Sequence, residues 1–194
     1  AGNGYGTAVD GGRDFNGDGR PDIVVGSPLD DQGGVDAGRV QIITSTGVVV
    51  RTLLGAAGDR FGSSVAVFPD DNGDGVPELA VGAPGANKVT IFSGANGSEL
   101  RVFTDGTGFG SAVVALNDYD NNGYNDVLIG SSLENNSNGA AAGIAIVDYW
   151  NPLADPILDV DNLTQINRSY QPGGPLPASE TRNLINTGAT PLDW

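Results

Sequence analysis

The stretch Phe61-Gly-Ser-Ser-Val-Ala-Val-Phe-Pro-Asp70-Asp-Asn72-Gly-Asp74-Gly75-Val-Pro-Glu78-Leu-Ala-Val-Gly-Ala-Pro84 sets an acidic nine-residue loop between two aliphatic runs, and the chain carries it three times. The loop recurs as Asp14-Phe-Asn16-Gly-Asp18-Gly19-Arg20-Pro-Asp22 and as Asp118-Tyr-Asp120-Asn-Asn122-Gly123-Tyr124-Asn-Asp126. Positions 1, 3, 5 and 9 bear side-chain oxygens each time, and position 6 is glycine. Calcium takes about six to eight oxygen ligands and tolerates irregular geometry, so one short loop can supply most of its shell. Glycine at position 6 turns the backbone without a Cβ penalty. The predicted ligands are therefore Asp14, Asn16, Asp18 and Asp22, then Asp70, Asn72, Asp74 and Glu78, then Asp118, Asp120, Asn122 and Asp126. Position 7 adds the carbonyls of Arg20, Val76 and Tyr124. Each loop supplies its own ligands, so about three calcium (Ca2+) sites are expected to fill independently.

An EF-hand opens in the same way but needs glutamate at position 12 and a helix on each side. Position 12 here is Val25, Val81 or Ile129. The runs that follow the loops, Ile23 to Pro28, Leu79 to Pro84 and Val127 to Ser132, are aliphatic and end in turn residues, the pattern of strands. The loops are thus expected in β-hairpins.

The repeat extends beyond the loop. Tyr5-Gly6, Phe61-Gly62 and Phe109-Gly110 precede the loops, and Asp14, Asp70 and Asp118 are spaced by about 50 residues, the period of a propeller blade with four strands. The second blade is predicted as strands at Phe61 to Phe68, Leu79 to Gly82, Lys88 to Ser93 and Glu99 to Thr104. The first is predicted at Tyr5 to Val9, Ile23 to Gly26, Arg39 to Thr44 and Val48 to Leu54, with a polar surface excursion between Pro28 and Gly38. In the third, Phe109 to Leu116, Val127 to Gly130 and Gly143 to Tyr149 are marked, and the fourth strand is weakly marked.

Phe-Gly, the acidic loop and Gly-Ala-Pro in that order resemble the FG-GAP repeat of the integrin α-subunit propeller and of related secreted proteins. The resemblance implies an all-β, partial β-propeller of three four-stranded antiparallel blades within residues 1–150, at about 1–56, 57–105 and 106–150. It also implies calcium in the hairpin loops and, in a full propeller, about seven blades. Tyr5 in place of Phe, Gly26-Ser-Pro28 and Gly130-Ser-Ser132 are mild departures that leave the loop residues intact. Three blades leave strand edges and a groove open, so further blades are expected, from a longer parent chain, from other copies in a ring, or in a filament.

From Asn151 the composition becomes proline-rich, reading as a linker over residues 151–194. Its end, Glu180 to Trp194, alternates into an Asn-Thr-Gly turn, resembling the first strands of immunoglobulin-like modules of the BACON and ASPM/HYDIN-like group. Packing of the tail on the propeller through Trp150 and Trp194 is the other reading.

Composition restricts function. Net charge is −15 with 24 acidic and nine basic residues, which disfavours nucleic acid and anionic membranes. Three calcium ions would bring the formal charge to about −9. Zero histidine and zero cysteine remove imidazole bases, conventional triads, zinc sites and disulfides. No apolar run is long enough to span a membrane. These features agree with a non-enzymatic, secreted or cell-surface module, and the FG-GAP resemblance implies one that binds a protein or glycan partner, used for adhesion or protein interaction. A carbohydrate-binding propeller, with Tyr119, Tyr124 and Trp150 as stacking candidates, and a structural subunit of a surface layer or filament are the alternatives.

Overall fold

A computed structural model describes residues 2–133 and 143–148. Trp150, the proline-rich stretch, the immunoglobulin-like hairpin and Trp194 lie outside the described residues. The described residues form strands and turns without a helix, within the compact unit Ala1–Ala154. The strands are β1 (Ala8–Arg13), β2 (Asp22–Ser27), β3 (Arg39–Ile43), β4 (Val49–Leu54), β5 (Ser64–Val67), β6 (Glu78–Ala83), β7 (Lys88–Ser93), β8 (Glu99–Thr104), β9 (Phe109–Ala115), β10 (Val127–Ser131) and β11 (Ile144–Asp148).

Each sheet follows chain order and is antiparallel: β1-β2-β3-β4, β5-β6-β7-β8 and β9-β10-β11. The result is an all-β partial propeller of three successive blades. The third blade has three strands among the described residues rather than the four expected.

Burial explains which residues became strands. All of β6 is buried, as are five of the six residues of β7, because these strands lie between neighbouring sheets and must be apolar or hydrogen-bonded on both faces. The outer strands β4 and β8 alternate half-buried and exposed residues, the period-2 pattern of a sheet edge. One core joins blades one and two, with Val24, Val40 and Ile42 against Phe61, Val65, Leu79 and Phe92. Phe61 meets Phe92 edge to face at 5.7 Å between ring centroids. A second core joins blades two and three through Phe68, Val89 and Ile91 with Phe109, Val113 and Ile129.

The Phe-Gly and Gly-Ala-Pro motifs meet at the blade boundaries. A Cβ on Gly26 would lie 2.1 Å from the Gly62 carbonyl oxygen, and one on Gly82 would lie 2.1 Å from that of Gly110. Within a blade, the Gly62 amide donates to the Gly82 carbonyl at 3.0 Å, and Gly6 does the same to Gly26. These glycines set how closely sheets approach.

Two predicted strands shift. The segment from Tyr5 is a turn, and β1 starts only at Ala8. Gly4 and Gly6 take φ of 67° and 83°, and the Thr7 amide closes the turn on the Gly4 carbonyl. The strand predicted from Phe61 shortens to Ser64–Val67 because Gly62 takes φ of 84° and Ser63 bonds back to Arg60. The excursion between Pro28 and Gly38 is not wholly superficial. Asp30 and Ala37 are buried, and Asp30 accepts bonds from the Asn3 side chain and Gln32 amide and pairs with Arg39 at 3.0 Å.

Gly82→Ala should lower the unfolding free energy by about 1–3 kcal/mol, the usual range for overpacking. At the equivalent Gly130, where a Cβ would meet only the Ala112 side chain at 3.2 Å, alanine should cost less than about 1 kcal/mol. Urea unfolding of the two variants measures the contrast.

Candidate metal centre

The three acidic loops connect β1 to β2, β5 to β6 and β9 to β10, the first hairpin of each blade. Their side chains fold each loop by similar bonds from positions 1, 3 and 5. In loop one, Asp14 accepts from the amides of Gly17 at 2.7 Å and Gly19 at 2.6 Å; Asn16 accepts from Asp18 at 3.0 Å and Asp18 from Arg20 at 2.8 Å. Loop two repeats this with Asp70 on Gly73 and Gly75, Asn72 on Asp74 and Asp74 on Val76. Loop three does so with Asp118 on Asn122 and Gly123, Asp120 on Asn122 and Asn122 on Tyr124. Each side chain at positions 1, 3 and 5 thus caps the amide two to five residues on, an Asx-turn chain. Gly19, Gly75 and Gly123 at position 6 have φ of 78°, 82° and 93°, the left-handed backbone expected there.

Position 9 differs from the rest in burial. Asp22, Glu78 and Asp126 are buried at or beside the start of β2, β6 and β10, whereas Asp18, Asp70, Asp74 and Asp120 are exposed and Asp14 and Asp118 half-buried. One oxygen of each closes the loop, accepting from the amide of Phe15 at 2.9 Å, Asp71 at 2.7 Å or Tyr119 at 2.8 Å. The second oxygens of Asp22 and Glu78, Oδ1 and Oε1, are buried without a hydrogen-bond partner. A buried carboxylate oxygen so placed costs on the order of 1–3 kcal/mol unless something cationic or protic meets it.

The electrostatics of the loops agree. The Gly19 amide above all holds the Asp14 carboxyl below its ordinary value, and the Val76 amide does the same for Asp74, with Asn72 and Ser93 helping. Burial pushes Glu78 up to about 7, and the carboxylates of Asp70, Asp74 and Asp71 add to the rise against the Asp71 amide. Asp70, Asp74 and Glu78 bring carboxylate oxygens within 4.8 Å of one another, as do Asp118, Asp120 and Asp126. The first loop does not gather such a trio; there the Asn16 amide nitrogen turns to Asp18 at 3.1 Å and meets its negative charge. An all-oxygen, carboxylate-rich donor set with an orphaned buried oxygen fits a hard divalent cation and no soft one.

Residues outside the ligand positions also shape these loops. Asp71 at position 2 of loop two accepts from the backbone amide of Asn125 at 3.3 Å and from its side chain, tying loop two to loop three. Burial raises the Asp71 carboxyl, while the bonds from Asn125 oppose the shift. Loops two and three are therefore tied to each other by residues outside the predicted ligand positions, a contact the sequence reading did not foresee. Position 8 gave the missed signal: it is Pro21 and Pro77 in the first two loops but Asn125, a donor, in the third. Ser93 of β7 donates to Asp74 at 3.0 Å. Of the stacking candidates, Tyr119 is exposed, Tyr124 is half-buried within loop three and Trp150 lies outside the described residues.

Comparison with known proteins agrees with the repeat. The FG-GAP repeat profile matches residues 5–43, 61–99 and 109–147. Integrin alpha-6 of Gallus gallus is 40% identical over 144 residues, covering 66% of this chain and 13% of that protein. Integrin alpha-PS5 of Drosophila melanogaster is 35% identical over 141 residues, covering 61% and 14%. The chain thus spans only about a seventh of these relatives. Among solved structures, the β-propeller domain of Cps50 (Swd1) from Myceliophteria thermophila superposes with a TM-score of 0.45 at 13% identity, over 80% of this chain and 42% of that one.

The tie between the loops should be measurable. A double-mutant cycle with Asp71→Ala and Asn125→Ala should give a coupling energy of about 1 kcal/mol in equilibrium unfolding, because the two side chains share one hydrogen-bonded pair. Additive effects would show that the tie contributes nothing.

Proposed function

The chain belongs to the FG-GAP repeat family, and on that footing we propose that it is an extracellular, calcium-stabilised propeller module for adhesion or protein interaction, without catalysis of its own. The observation that carries the calcium reading is the pair of buried, unpartnered oxygens, Asp22 Oδ1 and Glu78 Oε1, beneath loops whose side chains at positions 1, 3 and 5 all carry oxygen. The ligands would be Asp14, Asn16, Asp18 and Asp22 with the Arg20 carbonyl. The second set would be Asp70, Asn72, Asp74 and Glu78 with that of Val76, and the third Asp118, Asp120, Asn122 and Asp126 with that of Tyr124. Calcium suits this set better than magnesium, which demands near-ideal octahedral geometry and keeps its waters.

Such an ion would neutralise carboxylates that otherwise repel one another and would bind the exposed loop to a buried residue at the head of the next strand. In a chain without cysteine, that clasp takes the place of a disulfide. The family resemblance and the integrin alpha relatives support a cell-surface setting and a protein ligand. Among the described residues no helix is long and apolar enough to cross a membrane. The absence of histidine and cysteine from the sequence supports a role in binding rather than chemistry.

Calcium at a hundred times its dissociation constant adds about 2.7 kcal/mol per site that binds only the folded state. Chelation should therefore lower the melting temperature and speed proteolysis within the three loops, and added calcium should restore both. Asp74→Ala should remove one ion from the stoichiometry measured by calorimetric titration. Identical melting with and without chelator would refute the proposal.

A further inference from the structure

A carbonyl can serve as a ligand only if its peptide group is turned the right way, and position 7 of each loop depends on this. In the first two loops proline follows that position: Pro21 after Arg20 and Pro77 after Val76. A proline confines the residue before it to extended ψ, and ψ is the angle that aims that residue's carbonyl. Loop three lacks this restraint, because Tyr124 is followed by Asn125.

Another group acts on the same peptide. The Tyr124 carbonyl and the Asn125 N–H belong to one planar unit, and no peptide among the described residues is cis, so the two point to opposite sides. The N–H is held from loop two. Both carboxylate oxygens of Asp71 share it at 3.3 Å each, and one of them also accepts from the Asn125 side chain. Asp71 is itself fixed from behind, since its own amide donates to Glu78 Oε2 at 2.7 Å, the bond that closes loop two. An anionic acceptor on an N–H strengthens the bond and polarises the carbonyl across the peptide, which raises that oxygen's attraction for a cation. Position 2 is used otherwise in the other loops. Phe15 is buried in the core between blades one and two, and Tyr119 is exposed.

We infer that Asp71 is a positioning residue for the cation of loop three, although it belongs to loop two. It takes the part that proline plays in the other loops and acts through the Tyr124–Asn125 peptide, not as a ligand. The inference rests on the calcium reading above and adds a distinction among the sites. Loops one and two aim the position-7 carbonyl by a covalent restraint of their own, whereas loop three takes its aim from the neighbouring blade.

Calcium titration of the whole, isotopically labelled chain by heteronuclear NMR is the test, because the amides of Gly19, Gly75 and Gly123 report the three loops separately. Asp71→Ala should raise the calcium midpoint read at Gly123 about tenfold, the low end of what losing a group that orients a ligand costs a metal site. The midpoint at Gly75, in the loop that carries the substitution, should move far less. Asp71→Asn, which keeps an acceptor oxygen for the Asn125 amide, should shift Gly123 less than Asp71→Ala does. Asn125→Pro gives loop three the proline of the others, and in the Asp71→Ala background it should bring the Gly123 midpoint back to that of the wild-type chain. A carboxylate that acted by charge alone could not be replaced in this way. A Gly123 midpoint unmoved by Asp71→Ala would overturn the inference, as would equal shifts at Gly75 and Gly123 or a proline that restores nothing. Wild-type amides that ignore calcium altogether would overturn the calcium reading itself, and this inference with it.

Discussion

The distance between neighbouring sheets is fixed by a carbonyl oxygen that stands where a side chain would begin. At Gly26 and Gly82 that oxygen lies 2.1 Å from the site of a Cβ, closer than any real carbon could sit. Much else follows from this approach. With the backbones so near, Val24, Val40 and Ile42 reach Phe61 and Val65, and the second and third strands of a blade become buried on both faces. Each buried aliphatic side chain then contributes roughly 1.5–3 kcal/mol relative to exposure. The glycines contribute no apolar area themselves; they permit everyone else's.

The acidic loops serve a different end of the same hairpins. Their backbone is organised by Asx turns made by the proposed ligand side chains themselves, so the same residues that would hold an ion also shape the loop. What remains unmatched is electrostatic: exposed carboxylates gathered over a buried one. Position 9 is the pivot, because one carboxylate oxygen answers a loop amide while the other faces inward. A loop closed by glutamine or asparagine would keep the first bond and lose most of the second oxygen's attraction for a cation.

Much of this was legible in the residues. The loops, their glycines and the aliphatic runs after them stood in a fixed frame, and local chemistry settles both turn and strand there. Strand starts were read less well. Tyr5-Gly6 and Phe61-Gly62 resemble strand openings in a list of residue types, but glycine at positive φ bends the chain before pairing begins, and φ is not written in the composition. The tie between Asp71 and Asn125 was also missed, since it depends on two residues 54 positions apart in separate loops coming together. The burial of Asp30 beside Arg39 escaped for the same reason: a polar segment reads as surface until its partners are known. The exchange of proline for asparagine at position 8 was visible, yet only tertiary contact gives it meaning.

Several contacts across the blade boundaries pair a side chain of the earlier blade with main-chain atoms of the later one. Arg51 donates to the carbonyls of Gly94 and Ala95, Asp10 accepts from the Val67 amide at 2.8 Å, and Ser64 donates to the Gly110 carbonyl at 2.8 Å. Main-chain groups are present whatever the residue, so at these points the later blade meets its predecessor without any particular side chain of its own. A gene segment encoding such a unit can be duplicated, or its surface can drift, while the join to the preceding unit survives. The repeat is, in this respect, a part made to be copied.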